Sequence, residues 1–229
     1  MLAGTLVWAV SSSKHVKSSV EVQPRGSFEY KEVIIGIDQS YQNTGISIVV
    51  DGRIADVKSV RLDKYKTNTE RRRALRDKLG GLLTVVAKKA ERILCIVERV
   101  RLHGGPTSFI NIDSIKGLGA LTATIVDVCY EYGVEVYSVD TRSWKSQVVG
   151  TSKPQSNKFG VPNEKWPTVQ WLISKGFEHK ILVSVSGKKT KGTFVRNGKR
   201  YMYNNDAADS AGIAMFGVVG ERDKLRLER

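Results

Sequence analysis

Cysteine and histidine are too sparse in this chain to build a site. There are two cysteines, Cys95 and Cys129, each inside an apolar segment, and three scattered histidines, His15, His103 and His179. Two buried thiols suit a reducing compartment, and without further ligands they cannot form a zinc centre. Long apolar runs are missing as well, since none approaches the roughly eighteen residues of a membrane span. No repeat period is visible. Acids are in short supply: 23 Asp and Glu stand against 37 Lys and Arg, a formal net charge of +14. That excess points to a polyanionic partner, most often nucleic acid and less often an anionic membrane surface. The length, 229 residues, suits one domain with a sizeable core.

What is present is organised around Val33-Ile34-Ile35-Gly36-Ile37-Asp38. An apolar run that closes on a carboxylate reads as a buried central strand. Alternation puts Ile34, Gly36 and Asp38 on one face and Ile35 and Ile37 on the other. Gly36 leaves room beside the acid, and the cost of burying a lone charge puts Asp38 at the open strand end, near water or a cation. A turn-starting role for Asp38 is the bland alternative. The polar turn 39–43 returns into a second strand, Gly45–Val50, and Asp51-Gly52 is a hairpin signal leading to a third, Arg53–Leu62.

Further along, 68–92 has helical spacing with Thr69 as its cap, and carries the basic run Arg71–Arg73 with Arg76 and Lys78. Ile93–Glu98 repeats the opening pattern of an apolar strand ending on an acid. A loop at 101–108 precedes a helix over 109–132, rich in small residues. A strand at 134–139, a short helix at 141–148, a polar loop at 151–162 and a helix at 163–176 begun by Asn163 follow. Residues 183–204 read as a basic hairpin, since Asn197-Gly198 favours a two-residue turn. Asp206–Val219 reads as a helix begun by Asn204-Asn205, and the charged tail 221–229 is expected to fray. The domain therefore spans 28–220. Residues 1–27 read as foreign to it: their end, Gln23-Pro24-Arg25-Gly26-Ser27, looks like a protease-site scar, and a natural disordered arm is the alternative. The order of elements predicts a mixed α/β fold: a five-stranded sheet of three antiparallel strands followed by parallel ones, flanked by helices, with an inserted basic hairpin.

Four acids stand out together. If the strands ending at Asp38 and Glu98 are neighbours, their ends lie about 5 Å apart. Asp206 and Asp209, three apart, share a helix face. Converging carboxylates repel and raise one another's pKa values, which hard cations relieve, and oxygen-only ligands select Mg²⁺ or Mn²⁺. Two such ions would clamp the attacking and leaving oxygens of an in-line phosphoryl displacement. The alternative is that Asp206 and Asp209 simply favour a helix N-terminus.

Ile35-Gly36-Ile37-Asp38 with the Thr44-Gly45 return, Ile96-Val97-Glu98, and Asp206-Ala207-Ala208-Asp209-Ser210-Ala211 resemble the three acidic motifs of RuvC-type Holliday junction resolvases, in the ribonuclease H-like superfamily. The resemblance covers roughly residues 33–218 and is nearest the phage-encoded branch. It implies a homodimer that binds four-way junctions and nicks opposed strands with two Mg²⁺ or Mn²⁺ ions per site, in the cytoplasm of a bacterial or phage-infected cell. Asp38, Glu98, Asp206 and Asp209 would be the metal ligands. Lys145, in Trp144-Lys145-Ser146-Gln147-Val148-Val149-Gly150, matches a basic residue of the family. A second family lysine opens the next helix, where Lys165 fits best and Lys153 and Lys158 are alternatives. Bacterial members carry an aromatic three residues after the strand-end Glu; here that residue is Arg101. Together with the segment 183–204, this departure implies broader branched-DNA specificity.

Two rival readings accompany this one. The Gly36-Ile37-Asp38 turn also resembles the first phosphate loop of actin-like ATPases and sugar kinases, although no second Asp-Gly-rich loop is found. A junction-binding module with a dead site is the other. DNA contacts are expected from Arg101, Lys145, Lys153, Lys158, Lys165, Lys188, Lys189, Lys191, Arg196, Lys199 and Arg200, chiefly to phosphates. In the helix 109–132, Gly117, Gly119 and Ala120 beside Leu118, Leu121, Ile125 and Val128 predict one apolar face on the sheet and another on a symmetry mate.

Overall fold

The computed structural model describes residues 28–100, 112–186 and 192–228, with the side chains of 112–114 left out. Arg101, Lys188, Lys189 and Lys191 lie outside the described residues. Strands β1 (Tyr30–Asp38), β2 (Asn43–Val50) and β3 (Arg53–Arg61) form the expected antiparallel meander. Asp51 and Gly52 turn between β2 and β3 with φ of 46° and 80°, the left-handed pair that a two-residue hairpin requires. Helix α1 (Asn68–Val86) leads to β4 (Ala90–Glu98), which lies parallel to β1 with Ile37 opposite Val97. Asp38 and Glu98 therefore leave the same edge of the sheet side by side. Helix α2 (Ile112–Glu131) and β5 (Glu135–Val139), parallel to β4, complete the central layer.

Two expectations about this layer change. Thr67, not Thr69, caps α1: its hydroxyl accepts from the Glu70 amide at 3.2 Å and the Glu70 carboxylate accepts from the Thr67 amide at 3.0 Å. Only Thr67 has a glutamate three residues on, so only it closes both bonds of a capping box. Part of the charged tail is a strand. Strand β9, Arg226–Glu228 in chain order, pairs antiparallel with β5 and makes the sheet six-stranded, in the order β3-β2-β1-β4-β5-β9. Three residues are too few for a period to be read, and a short charged strand is how a sheet edge is commonly blunted.

Both faces of the sheet are covered, as the alternation along β1 requires. Ile35 and Ile37 join Leu75, Leu79 and Leu83 of α1 and Leu121, Ile125 and Val128 of α2 in one core. The apolar stripe of α2 is thus used within its own chain. Gly117 admits Tyr41, since a Cβ there would overlap the phenol, while Gly119 faces open space. Two of the basic residues of α1 are likewise engaged internally: Arg72 donates to the Thr124 hydroxyl at 2.8 Å and Arg76 pairs with Glu131 at 2.6 Å.

The remaining elements build the opposite face. After α3 (Thr141–Trp144) the chain makes a π-helical turn over Lys145–Val149. Helix α4 spans Trp166–Ser174 and α5 Glu178–Ile181. The predicted start of α4 at Asn163 moves to Lys165, because Pro167 suits the first helical turn and fixes where it begins. Strands β6 (Leu182–Ser184), β7 (Phe194–Arg196) and β8 (Lys199–Tyr203) form a second, three-stranded sheet in the order β6-β8-β7. Its hairpin turns at Asn197-Gly198 as predicted, with φ of 51° and 72°. An aromatic group of Phe159, Trp166, Phe194 and Tyr203 ties this lobe together, with Phe159 about 5 Å from the rings of Trp166 (5.1 Å) and Phe194 (5.0 Å).

Helix α6 (Asn205–Val219) lies across β1 and β2. Its approach is set by two glycines. A Cβ on Gly36 would stand 2.3 Å from the Ser210 carbonyl oxygen, and one on Gly45 would stand 1.9 Å from that of Asp206. The room that Gly36 leaves is therefore filled by helix backbone.

Candidate active site

Asn204 caps α6, its Oδ1 accepting from the Ala207 amide at 3.1 Å. The same oxygen accepts from Asn43 Nδ2 at 2.9 Å, and Asn43 also donates to Asp206 Oδ2 at 3.2 Å. The start of β2 and the start of α6 are thus bonded to each other. Since Gly45 pairs with Asp38 in the β1–β2 register, seating Asp206 against Gly45 brings the helix acids to the strand-end acid.

Lys165 reaches these acids from the N-terminal end of α4. Its ammonium donates to Asp209 Oδ2 and stands 3.8 Å from Asp38 Oδ2. Of the three lysines proposed for the second basic position, the structure brings only Lys165 to the carboxylates, while Lys153 and Lys158 stay exposed. Lys145 turns inward. It is 7% exposed and its Nζ donates to the Glu164 carbonyl at 3.0 Å, so it steadies the loop that delivers Lys165.

Glu98 is held by both oxygens: Thr141 Oγ1 donates to Oε1 at 2.7 Å and Trp144 Nε1 to Oε2 at 3.1 Å. Gln39 donates to its backbone carbonyl. None of Asn43, Thr141, Trp144 or Asn204 stands out in the sequence as a site residue. The only local signal for the middle pair is their spacing of three on a short helix.

The electrostatics follow from burial. Desolvation holds the Asp38 carboxyl well above the ordinary carboxylate range; Lys165 opposes that shift, and Asp209, Glu98 and Asp206 reinforce it. Burial raises Asp206 as well, against the pull of Lys165 and the Asn43 bond. For Lys165 burial alone would lower the ammonium, but Asp209 and Asp38 outweigh it and hold it above the usual lysine value.

A divalent cation suits the chemistry of this group. The donors are all carboxylate oxygens, and Asp38 Oδ2 and Asp209 Oδ1 are buried without a hydrogen-bond partner. Among the described residues, no three His, Cys, Asp or Glu side chains already stand in ligating geometry. The cation that meets Asp38 and Asp209 in this structure is the Lys165 ammonium.

The other expected DNA contacts among the described residues fall on the loop before α4 and on the β7–β8 hairpin. Lys153, Lys158 and Lys199 are exposed, with Lys158 lying over the Phe159 ring at 5.6 Å. Arg196 pairs with Glu178 at 2.9 Å, and Arg200 is half-buried in β8. No helix among the described residues is long and apolar enough to cross a membrane.

No protein-family profile and no curated protein sequence matches the chain. Its fold is that of RuvC. Thermus thermophilus RuvC in complex with Holliday junction substrate aligns with a TM-score of 0.51 over 86% of this chain and 99% of that one, at 12% identity. A second structure of Thermus thermophilus RuvC aligns equally well. The yeast mitochondrial Holliday junction resolvase aligns with a TM-score of 0.45 at 17% identity, over 82% of this chain and 78% of that one.

Proposed function

We propose that this protein is a structure-selective endonuclease that nicks Holliday junctions and related branched DNA by divalent-metal-dependent phosphodiester hydrolysis. One observation carries the reading. Asp38 and Glu98 leave adjacent parallel strands at the same edge, and the start of α6 brings Asp206 and Asp209 to them, on the fold of a protein whose structure is in complex with Holliday junction substrate. The +14 charge supports a nucleic-acid partner.

In this reading Asp38, Glu98, Asp206 and Asp209 would hold two Mg²⁺ or Mn²⁺ ions. When bound, the ions would supply electrostatic stabilisation of the attacking and leaving oxygens at phosphorus. The chain's own contribution is to preorganise the carboxylates. The β1–β4 register fixes two of them, Asn43 and Asn204 fix Asp206 against the strands, and Asp38 keeps a buried Oδ2 that no hydrogen bond occupies. Lys165 balances the acids in this structure, and with cations bound it would be available to a scissile phosphate. Exposed Lys153, Lys158 and Lys199, with Arg101, Lys188, Lys189 and Lys191, would grip phosphates and set register without reading bases. Two copies paired through the outward face of α2, where Gly119 and Ala123 are exposed, would present two sites to opposed strands.

The test is nicking of a labelled four-way junction in Mg²⁺, beside a gel shift in Ca²⁺. The expected result is paired nicks at the junction by the parent chain and none by Asp38→Asn, with binding retained by both. A parent chain that hydrolyses ATP and leaves the junction intact would instead favour the actin-like reading.

A further inference from the structure

The hydrogen bonds on Glu98 stand apart from the rest of the site. Each of its two carboxylate oxygens accepts one bond, both from side chains of the single turn that follows β5: Thr141 Oγ1 at 2.7 Å and Trp144 Nε1 at 3.1 Å. That turn is itself pinned, because Asp140 Oδ1 accepts from the Arg142 amide at 3.0 Å. Trp144 is fully buried, and Gly212 of α6 lies against its six-membered ring: a Cβ at 212 would stand 2.5 Å from Cζ3. Asp209 sits three residues before Gly212, so the element that carries one acid is packed on the ring that aims another.

We propose that Thr141 and Trp144 are positioning residues for Glu98, fixing its carboxylate in one orientation so that its remaining lone pairs serve as a preformed ligand to a divalent cation. This rests on the nuclease reading above. A carboxylate offers about four lone-pair sites, so two donors occupy half of them and leave the rest for the cation. An indole N–H and a threonine O–H are neutral, so they orient the anion without neutralising it, whereas an arginine in their place would compete with the metal. Outer-sphere partners of this kind are typically worth about 10–100-fold in metal affinity or activity.

The experiment compares Thr141→Val, which keeps the side chain's shape and removes the hydroxyl, with Thr141→Ser, which restores it. Mn²⁺ affinity is read by isothermal titration calorimetry without DNA, and the Mg²⁺ concentration for half-maximal junction nicking is read separately from the rate at saturating Mg²⁺. Thr141→Val is expected to weaken Mn²⁺ binding by about 10-fold and to raise the half-maximal Mg²⁺ in step, while Thr141→Ser returns both toward the parent. Trp144→Phe, which keeps a ring but deletes the N–H, is expected to shift the same two quantities in the same direction. Thr141→Val with parental Mn²⁺ affinity overturns the proposal, as does a loss that Thr141→Ser does not repair. If the parent chain itself neither binds Mn²⁺ nor nicks in Mg²⁺, the nuclease reading falls and this proposal with it. A parent that does both beside an unaffected Thr141→Val removes the positioning role alone.

Discussion

Replacing Lys165 by methionine deletes one charge and keeps an unbranched stem. In the intact chain that ammonium bonds Asp209, which is 1% exposed, and stands 3.8 Å from Asp38, which is 8% exposed. Deleting one partner of a buried ion pair typically costs about 3–5 kcal/mol, because the other charge is left without compensation. The Lys165 side chain keeps 31% of its exposure, so solvent screens part of the interaction. A cost of about 2–3 kcal/mol is therefore expected. A domain of this size loses about 2–4 °C per kcal/mol, so the unfolding midpoint in chelator falls by about 4–12 °C. The deficit depends on pH, and its sign follows from Asp38. That carboxyl is held above its ordinary range, so the folded chain binds its proton more readily than the unfolded chain does. The associated stability is fully present below the ordinary carboxylate value and is lost as pH rises through the raised one. Without Lys165 nothing opposes the raising, so variant and parent lie close together in acid and diverge toward neutral and alkaline buffer. Scanning fluorimetry across that range measures the gap. Mn²⁺ should then restore more of the variant's midpoint than of the parent's, since a ligand that binds only the folded state stabilises it. A variant as stable as its parent in alkaline chelator, or a gap that narrows as pH rises, would refute the view that Lys165 is the counter-charge of this site.

Three further outcomes follow from the same geometry. Asp209→Asn keeps the side chain's size and removes the anionic ligand, so junction nicking should fall by at least about 10²-fold while the Ca²⁺ gel shift persists; parental nicking by this variant would falsify its role as a ligand. Gly36→Ala drives a methyl to within 2.3 Å of the Ser210 carbonyl oxygen. Urea unfolding should therefore show a loss at or above the about 1–3 kcal/mol usual for overpacking, since the obstacle is backbone and cannot rotate away. Neutralising Lys188, Lys189 and Lys191 together should flatten the slope of log affinity against log salt by up to about 2.7, at about 0.9 for each phosphate released.

Much of this arrangement is legible in the chain itself, where the signals are local. The β2–β3 turn needs two consecutive left-handed residues, and Asp51-Gly52 is one of the few dipeptides that supply them. Strand-end acids show because a carboxylate closing an apolar run breaks its pattern, and the spacing of Asp206 and Asp209 puts both on one side of a helix. The failures arise where a weaker local signal meets a tertiary one. Asn163 is a better helix cap than Lys165 by type, but Pro167 sets the first turn and moves the start. The chain does not say which apolar face of α2 turns inward; Leu121, Ile125 and Val128 do so, in one core with α1. The bond of Lys145 to the Glu164 carbonyl is not legible either, because no composition announces the π-helical turn that begins at Lys145.

The carboxylates are therefore only half of what defines the site. Their separation is set by how closely α6 can lie on β1 and β2, and that distance depends on residues with no chemistry at all. With Gly45 absent, the Asp206 backbone could not sit over the strand that pairs with Asp38; with Gly36 absent, the turn carrying Asp209 and Ser210 would lift away. Ser47 and Ser210, bonded at 2.7 Å within this contact, close the seam between the two glycines. An acid pattern on another scaffold, lacking a glycine on each of two adjacent antiparallel strands, would keep the ligand types and lose the spacing. Asp-x-x-Asp alone is for this reason a weak signal, whereas Gly-x-Asp and Thr-Gly on paired strands, followed much later by Asp-x-x-Asp and small residues, describe both the ligands and the surface that brings them together.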